Sequence, residues 1–407
     1  MNKQFAKAKI IKPENSSENQ VEIHRAGWIV VTPWQIIENG YVKIENNLIV
    51  DVGQNKAFNV SSSQSCSIDI DHGPGVLMSP LVNAHTHLEL SCFKDKLDMK
   101  NGFETWVKNL IELRQSADEK SVKEHAEKSI YELYNSGVLY VGDISTSGIT
   151  RPMVKQSLLK GVWFKEFLGS RDDNRESLDF DTSNNLHCSY AGHAPHTTSP
   201  ALLMSKKKQT NQRNLPFSIH VSESDAEVQF IETCRGKWAE FLKSRNIDFS
   251  LWNLGQKTPV EHLWSIGLLD SLTLIVHLLN LGIDDLEIVV KSGAKVCICP
   301  RSNMNLHGKL PRLEKMLKNG IKPCLGTDSL ASCGTLSIFD EMRFVANNFN
   351  NIQPSDLLAM ATLYGADALG AGKFTGTLEK GKMADMLYIS LKADTESILL
   401  EKITGYE

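Results

Sequence analysis

Two textures of apolar and polar positions divide the chain. Up to about residue 75 the apolar runs are short and alternate or cluster, as in AGWIVVT, YVKIEN and LIVDVG. That pattern predicts a small β domain. Asn39-Gly40 and Asn46-Asn47 are predicted hairpin turns, because both dipeptides tolerate the left-handed backbone of a two-residue loop. The Ser-rich stretch 61–67 is predicted to be a loop. From about residue 76, strand-like runs alternate with longer helical patterns, which predicts repeated βα units.

Eight runs read as strands: VLMSPLVNA, LYVGDIS, VWFKEFL, LHCSYAGH, PFSIHVS, LTLIVHL, AKVCICP and KPCLGTD. Between them lie the helical stretches FETWVKNLIELRQ, SVKEHAEKSIYELYNSG, DAEVQFIETCRGKWAEFLKS, DDLEIVVKSG and LPRLEKMLKNG. Gly137, Gly293 and Gly320 fall at helix ends, where a left-handed cap favours glycine. Eight strands in roughly 250 residues predict a (β/α)8 barrel. A doubly wound sheet competes, but no Gly-rich phosphate turn follows the first strand. The tail GTLEKGKMADMLYISLK returns to β texture. The expected fold is therefore α/β: a (β/α)8 TIM barrel over 76–375, with a small β-sandwich domain built from both chain termini, 1–75 and 376–407.

Composition narrows the function. Of 407 residues, 41% are hydrophobic and 23% charged, so a large core can be buried. The formal net charge is −4 and no basic stripe stands out, which argues against nucleic acid as a partner. No apolar run is long enough to span a membrane, and the polar start MNKQFAKAKIIKPENSSENQ lacks a signal-peptide core. A cytoplasmic protein acting on a small-molecule substrate is expected, with a homo-oligomer left open. Eight cysteines, at 66, 92, 188, 234, 297, 299, 324 and 333, form no CxxC pair and are expected to be free thiols.

In a barrel, functional side chains gather at the C-terminal strand ends. Those ends carry His85-Thr86-His87, His193-Ala194-Pro195-His196, His220 with Glu223, His277, and Asp328. Residues i and i+2 of a strand face the same way, so His85 and His87 can bind one metal. A third histidine and a carboxylate would complete a site suited to Zn²⁺, and able to hold Fe²⁺ or Mn²⁺. An isolated HxH carries little weight, and Asp328 alone could be a helix cap. The coincidence of such residues at five of the eight predicted strand ends carries the argument.

The stretches PLVNAHTHLEL, FETW, GHAPHTTS, IHVSES, IVHL, CPRSNMNL and GTDSLAS, followed by Glu341-Met342-Arg343, resemble the amidohydrolase superfamily. Within it they are similar to the branch of S-adenosylhomocysteine/methylthioadenosine deaminases, aminofutalosine deaminases and triazine hydrolases. The resemblance implies one divalent metal held by His85, His87, His220 and Asp328, with Glu223 and His277 beside the reacting water. It also implies substrate contacts from His193, His196, Trp106 and Ser332. His196 departs from the tyrosine common in relatives. Glu112, Arg114 and Arg171 are further candidates for substrate contact. A binuclear site would need a bridging Lys or Glu on the third or fourth strand. Lys165 and Glu166 fall in no such motif. The implied chemistry is hydrolytic deamination of a 5′-modified adenosine, with Glu223 shuttling the proton, His277 steadying the oxyanion and Asp328 acting as general acid. Deamination of another N-heterocycle, of guanine, cytosine, pteridine or triazine type, is the alternative.

Overall fold

Two sheets organise the molecule in a computed structural model, which describes residues 8–13, 21–55, 67–170, 180, 186–255 and 257–405. The first contains β1 (Ala8–Ile11), β2 (Val21–Thr32), β3 (Gln35–Glu45), β4 (Leu48–Gln54), β5 (Ser67–Asp71) and β6 (Val76–Met78). The second contains β7 (Leu81–Thr86), β8 (Val138–Ser145), β9 (Lys160–Phe167), β10 (Leu186–Gly192), β11 (Phe217–Val221), β12 (Thr273–His277), β13 (Lys295–Ile298) and β14 (Cys324–Leu325). The late strand β15 (Met386–Ile389) returns to the first sheet, between β1 and β6.

The first sheet draws on both ends of the chain, as the pattern predicts. Its far edge is tied back to the segment before β15. Ala384 N–H donates to Asn47 O (3.0 Å) and Leu378 N–H to Val31 O (2.8 Å). The sheet so curls around a core of Ile29, Val42, Ile44, Ile49, Leu77 and Met386. Asn46-Asn47 forms the expected tight turn, with φ of 51° and 61°. Asn39-Gly40 does not. It lies inside β3, where Gly40 pairs with Ala26, and the positive φ of Asn39 makes a local irregularity within a paired strand.

The run Val76–Ala84 is not one strand. It breaks at Ser79-Pro80, so that β6 joins the terminal sheet and β7 opens the barrel. Proline removes an N–H from the ladder and lets the chain change sheets there. The eight barrel strands are parallel and follow chain order. A bridge between Thr86 and Asp328 joins the first to the last. Asn83 reinforces the seam: its amide donates to Thr327 Oγ1 (2.8 Å) and its carbonyl accepts from Thr327 N–H (3.1 Å).

Helices form in each of the predicted helical stretches, and further ones, among them Pro200–Asn211, Pro300–His307, Ile338–Asn348 and Pro354–Ala361, lie outside those stretches. The stretch 225–244 is two helices, Asp225–Thr233 and Lys237–Ser244, parted at Cys234 (φ 56°) and Gly236 (φ 92°). A helix absent from the β reading of the tail, Glu396–Thr404, packs on the helices Ile338–Asn348 and Pro354–Ala361. Cys66 lies outside the described residues, and the other seven cysteines are free. Among the described residues, no helix is long and apolar enough to cross a membrane.

Candidate active site

The strand alternation that buries Asn83 also turns His85 and His87 into the barrel mouth. His220 reaches the same point from β11. Its Nε2 lies 3.2 Å from His85 Nε2 and 3.4 Å from His87 Nε2. The tautomer of His220 is fixed, because its Nδ1–H donates to His193 O at 2.6 Å, leaving a lone pair on Nε2. Burial holds His85 well below the usual imidazole range, helped by the nearby imidazoles, so it is neutral. Lone-pair nitrogens so close repel one another unless a cation lies between them. The donor set therefore fits a divalent ion, and His85, His87 and His220 form a group able to hold one.

Asp328 completes the rim of this cluster. Its Oδ1 is 3.6 Å from His87 Nε2, while Oδ2 accepts from the hydroxyls of Ser302 (2.6 Å) and Ser332 (3.0 Å). Ser332 is fully buried and absent from the cavity wall, which Ser329 lines instead. Its hydroxyl donates to Asp328, so the structure places Ser332 behind the carboxylate and off the cavity wall. Ser302→Ala removes a charge-assisted bond worth roughly 1.5–3 kcal/mol. The expected result is a fall in kcat/KM of about 10- to 100-fold with the fold intact, read by steady-state kinetics beside thermal unfolding.

Glu223 and His277 stand next to the cluster. His277 Nδ1 faces the Asn303 amide nitrogen at 2.9 Å, which leaves Nε2 to carry a proton toward Glu223 Oε1, 3.8 Å away. His307 Nε2 lies 3.1 Å from the same Oε1. Burial alone would raise the Glu223 pKa. His277, His307 and His220 outweigh that and hold it well below the ordinary carboxylate range. The turn that presents Glu223 depends on Glu227, whose two oxygens accept from Ser222 N–H and Glu223 N–H, both at 2.8 Å. Ser222 (φ 54°), His277 (φ 77°) and Asp328 (φ 60°) all carry left-handed backbone, a strain that the surrounding packing sustains.

Behind His87, buried Asp143 accepts from Leu88 N–H (3.0 Å) and Thr150 Oγ1 (2.6 Å), and burial pushes its pKa up to about 7. The folded chain so keeps a proton that the unfolded chain releases near the ordinary Asp value. Stability from this group is present at low pH and is lost as the pH rises through about 7. Asp143→Asn should flatten the fall in unfolding free energy between pH 5 and 8 by on the order of 2 kcal/mol, measured by denaturant titration at both values.

These groups open into a cavity of about 510 Å³. Helix Phe103–Ser116 supplies one apolar wall through Phe103, Trp106, Val107 and Leu110. Trp238 and Phe241, on the helix after the Gly236 break, supply the other. His193, His196 and Trp106 line the cavity. The His196 ring packs against Trp238 with centroids 4.4 Å apart and planes tilted by 46°; its Nδ1 lies 3.8 Å from Glu227 Oε2, and neither nitrogen has a hydrogen-bond partner among the described residues. Arg114 also lines it, paired with Glu89 at 2.7 Å, whereas Glu112 is exposed and off the cavity wall. Arg171 lies outside the described residues. Sequence reasoning gave no role to Ser302, Asn303 and His307, on helix Pro300–His307 after β13, or to Glu166 at the end of β9. Asn303 and His307, four residues apart, share one helix face, and that spacing is the signal that the helix turns both toward the cluster.

The model of the amidohydrolase family matches residues 76–406. The chain belongs to that family. A 5'-deoxyadenosine deaminase from Methanosphaera stadtmanae is 29% identical over 371 residues, covering 86% of this chain and 82% of the relative. A 5-methylthioadenosine/S-adenosylhomocysteine deaminase from Bacillus cereus is 27% identical over 381 residues, covering 87% and 81%. The zinc-bound crystal structure of an adenosine deaminase from Xanthomonas campestris superposes with a TM-score of 0.78 at 21% identity, covering 95% of this chain and 90% of that one. The amidohydrolase barrel, with its histidine cluster at the strand ends, is thus the framework of this chain.

Proposed function

We propose that the chain is a metal-dependent hydrolytic deaminase of adenosine-type nucleosides altered at the 5′ position. Aminofutalosine, S-adenosylhomocysteine and methylthioadenosine are the substrate types considered. The observation that carries this reading is Glu223, an ionised, buried carboxylate in the same cavity as the three-imidazole cluster. Ring deamination needs such a group, since a proton must leave water and arrive on a ring nitrogen. The deaminase relatives add support, and the apolar walls suit a 5′ substituent that has lost its hydroxyl.

His85, His87, His220 and Asp328 would hold one divalent ion, zinc by preference. When bound, the ion supplies Lewis acidity that lowers the pKa of a water toward about 7. The other steps fall to the chain's own residues. Glu223 takes the proton of the attacking water and delivers it to the ring nitrogen next to the amino-bearing carbon. That carbon becomes electrophilic and the C–O bond forms. His277, whose Nδ1 accepts from Asn303, offers Nε2–H to the oxygen of the tetrahedral carbon. Asp328, oriented by Ser302 and Ser332, takes the remaining proton from the oxygen now bonded to the tetrahedral carbon and passes it to the departing amine, so that oxygen becomes the carbonyl of the product. The C–N bond breaks and ammonia leaves.

Ammonia release from a panel of 5′-modified adenosines, guanine, cytosine, a pteridine and a triazine tests the reading. The expected outcome is the highest kcat/KM on a nucleoside. Turnover confined to free bases, pteridine or triazine would replace it with the alternative.

A further inference from the structure

Glu166 is the one carboxylate at the cavity's inner end to which the mechanism above gives no task. It lies on β9 in step with Phe164 and Leu168, so its side chain faces the barrel axis, and its residue exposure is 4%. Oε2 accepts from Thr146 Oγ1 at 2.7 Å. Oε1 is buried on the cavity wall, 3.9 Å from His220 Nδ1, and has no hydrogen-bond partner among the described residues. An unsatisfied buried carboxylate oxygen is costly, so one aimed at a cavity points to a ligand.

The neighbours define that ligand. A carboxylate oxygen of Glu166 and ring nitrogens of His193 and His220 lie within 4.8 Å of one another. A second metal there would need His220 Nδ1, the atom that already donates to His193 O at 2.6 Å. His220 would then have to bridge two ions as an imidazolate. His193 Nδ1 is engaged with Thr197 Oγ1 at 2.6 Å, which leaves only Nε2 for a ligand. Glu166 Oε1, an acceptor, and His193 Nε2 so stand as neighbouring ligand-facing groups. The matching ligand group has hydroxyls on adjacent atoms, since a hydroxyl can donate to a carboxylate and can pair with an imidazole nitrogen in either tautomer.

We propose that Glu166, with His193 beside it, is a specificity-determining residue that accepts hydrogen bonds from the vicinal diol of the substrate's sugar. This rests on the nucleoside reading above. The site discriminates against analogues that lack the hydroxyls, because they leave a buried carboxylate unpaired.

The test compares kcat/KM for a 5′-modified adenosine and its 2′,3′-dideoxy analogue, in wild type, Glu166→Gln and Glu166→Met, with metal content measured alongside. Wild type should favour the diol by about 100-fold or more. Glu166→Met should reduce that ratio to within about threefold by losing rate on the diol alone, with metal content unchanged, while Glu166→Gln keeps an acceptor and falls between. A wild-type ratio near unity overturns the inference without needing any variant. So does a ratio that survives in Glu166→Met, or loss of metal from either variant. Wild-type silence on every aminopurine nucleoside overturns the nucleoside reading and this inference together. Wild-type activity with an unaltered ratio overturns this inference alone.

Discussion

Glu223→Gln should give a protein that folds and keeps its metal, yet releases ammonia at least about 10³-fold more slowly. Glutamine matches glutamate in size and can still accept from His307 where Glu223 Oε1 does now, at 3.1 Å. What it loses is the capacity to bind and release a proton. His277, His307 and His220 favour the ionised form of Glu223, so the wild-type group enters the reaction as a carboxylate with a vacant site for a proton that glutamine lacks. Single-turnover kinetics and metal analysis on one preparation check both halves. Unchanged kcat removes Glu223 from the proton path.

Loss of His220 should be as severe by a different route. His220 Nε2 lies within 3.4 Å of both other imidazole Nε2 atoms, and no other described residue brings a nitrogen from β11 to that point. His220→Ala should fall from one bound ion per chain toward none, and its activity should drop below detection. Chelation should do the same to wild type, with zinc restoring wild type and leaving the variant inactive. Elemental analysis before and after dialysis reads occupancy. A variant that retains its ion places the metal elsewhere.

The parts of the site that could be read in the sequence are those written in strand alternation. The i, i+2 spacing of His85 and His87, and the polar residues ending each apolar run, project directly onto one barrel mouth. What could not be read depends on contacts across the chain. The bond that joins the Ser332 hydroxyl to Asp328 Oδ2 is set by the fold around the last barrel strand and leaves no mark in the local sequence. Glu166 sits beside Lys165 in an otherwise apolar run, and only the register of β9 decides which of the two faces inward. The single amphipathic stretch 225–244 conceals a break, because one glycine and one left-handed cysteine are weak signals beside a continuous helical pattern. Asn39-Gly40 is the reverse case, a strong local turn signal overridden by pairing on both sides of it.

The bridge that closes the barrel has a bearing on how the protein matures. Thr86 Oγ1 donates to Asp328 O across a separation of 242 residues, and the same two segments carry His87 and Asp328 Oδ1, 3.6 Å apart. During synthesis the histidines of β7 and β11 emerge long before the carboxylate. A nascent chain that stops short of residue 328 can gather imidazoles but cannot seal the ring around them. Pairing so distant in sequence is slow to form, although its entropic cost grows only gently with length. Acquisition of the ion should therefore be a late event that marks completion of the barrel, and its arrival during refolding offers a clock for the final closure.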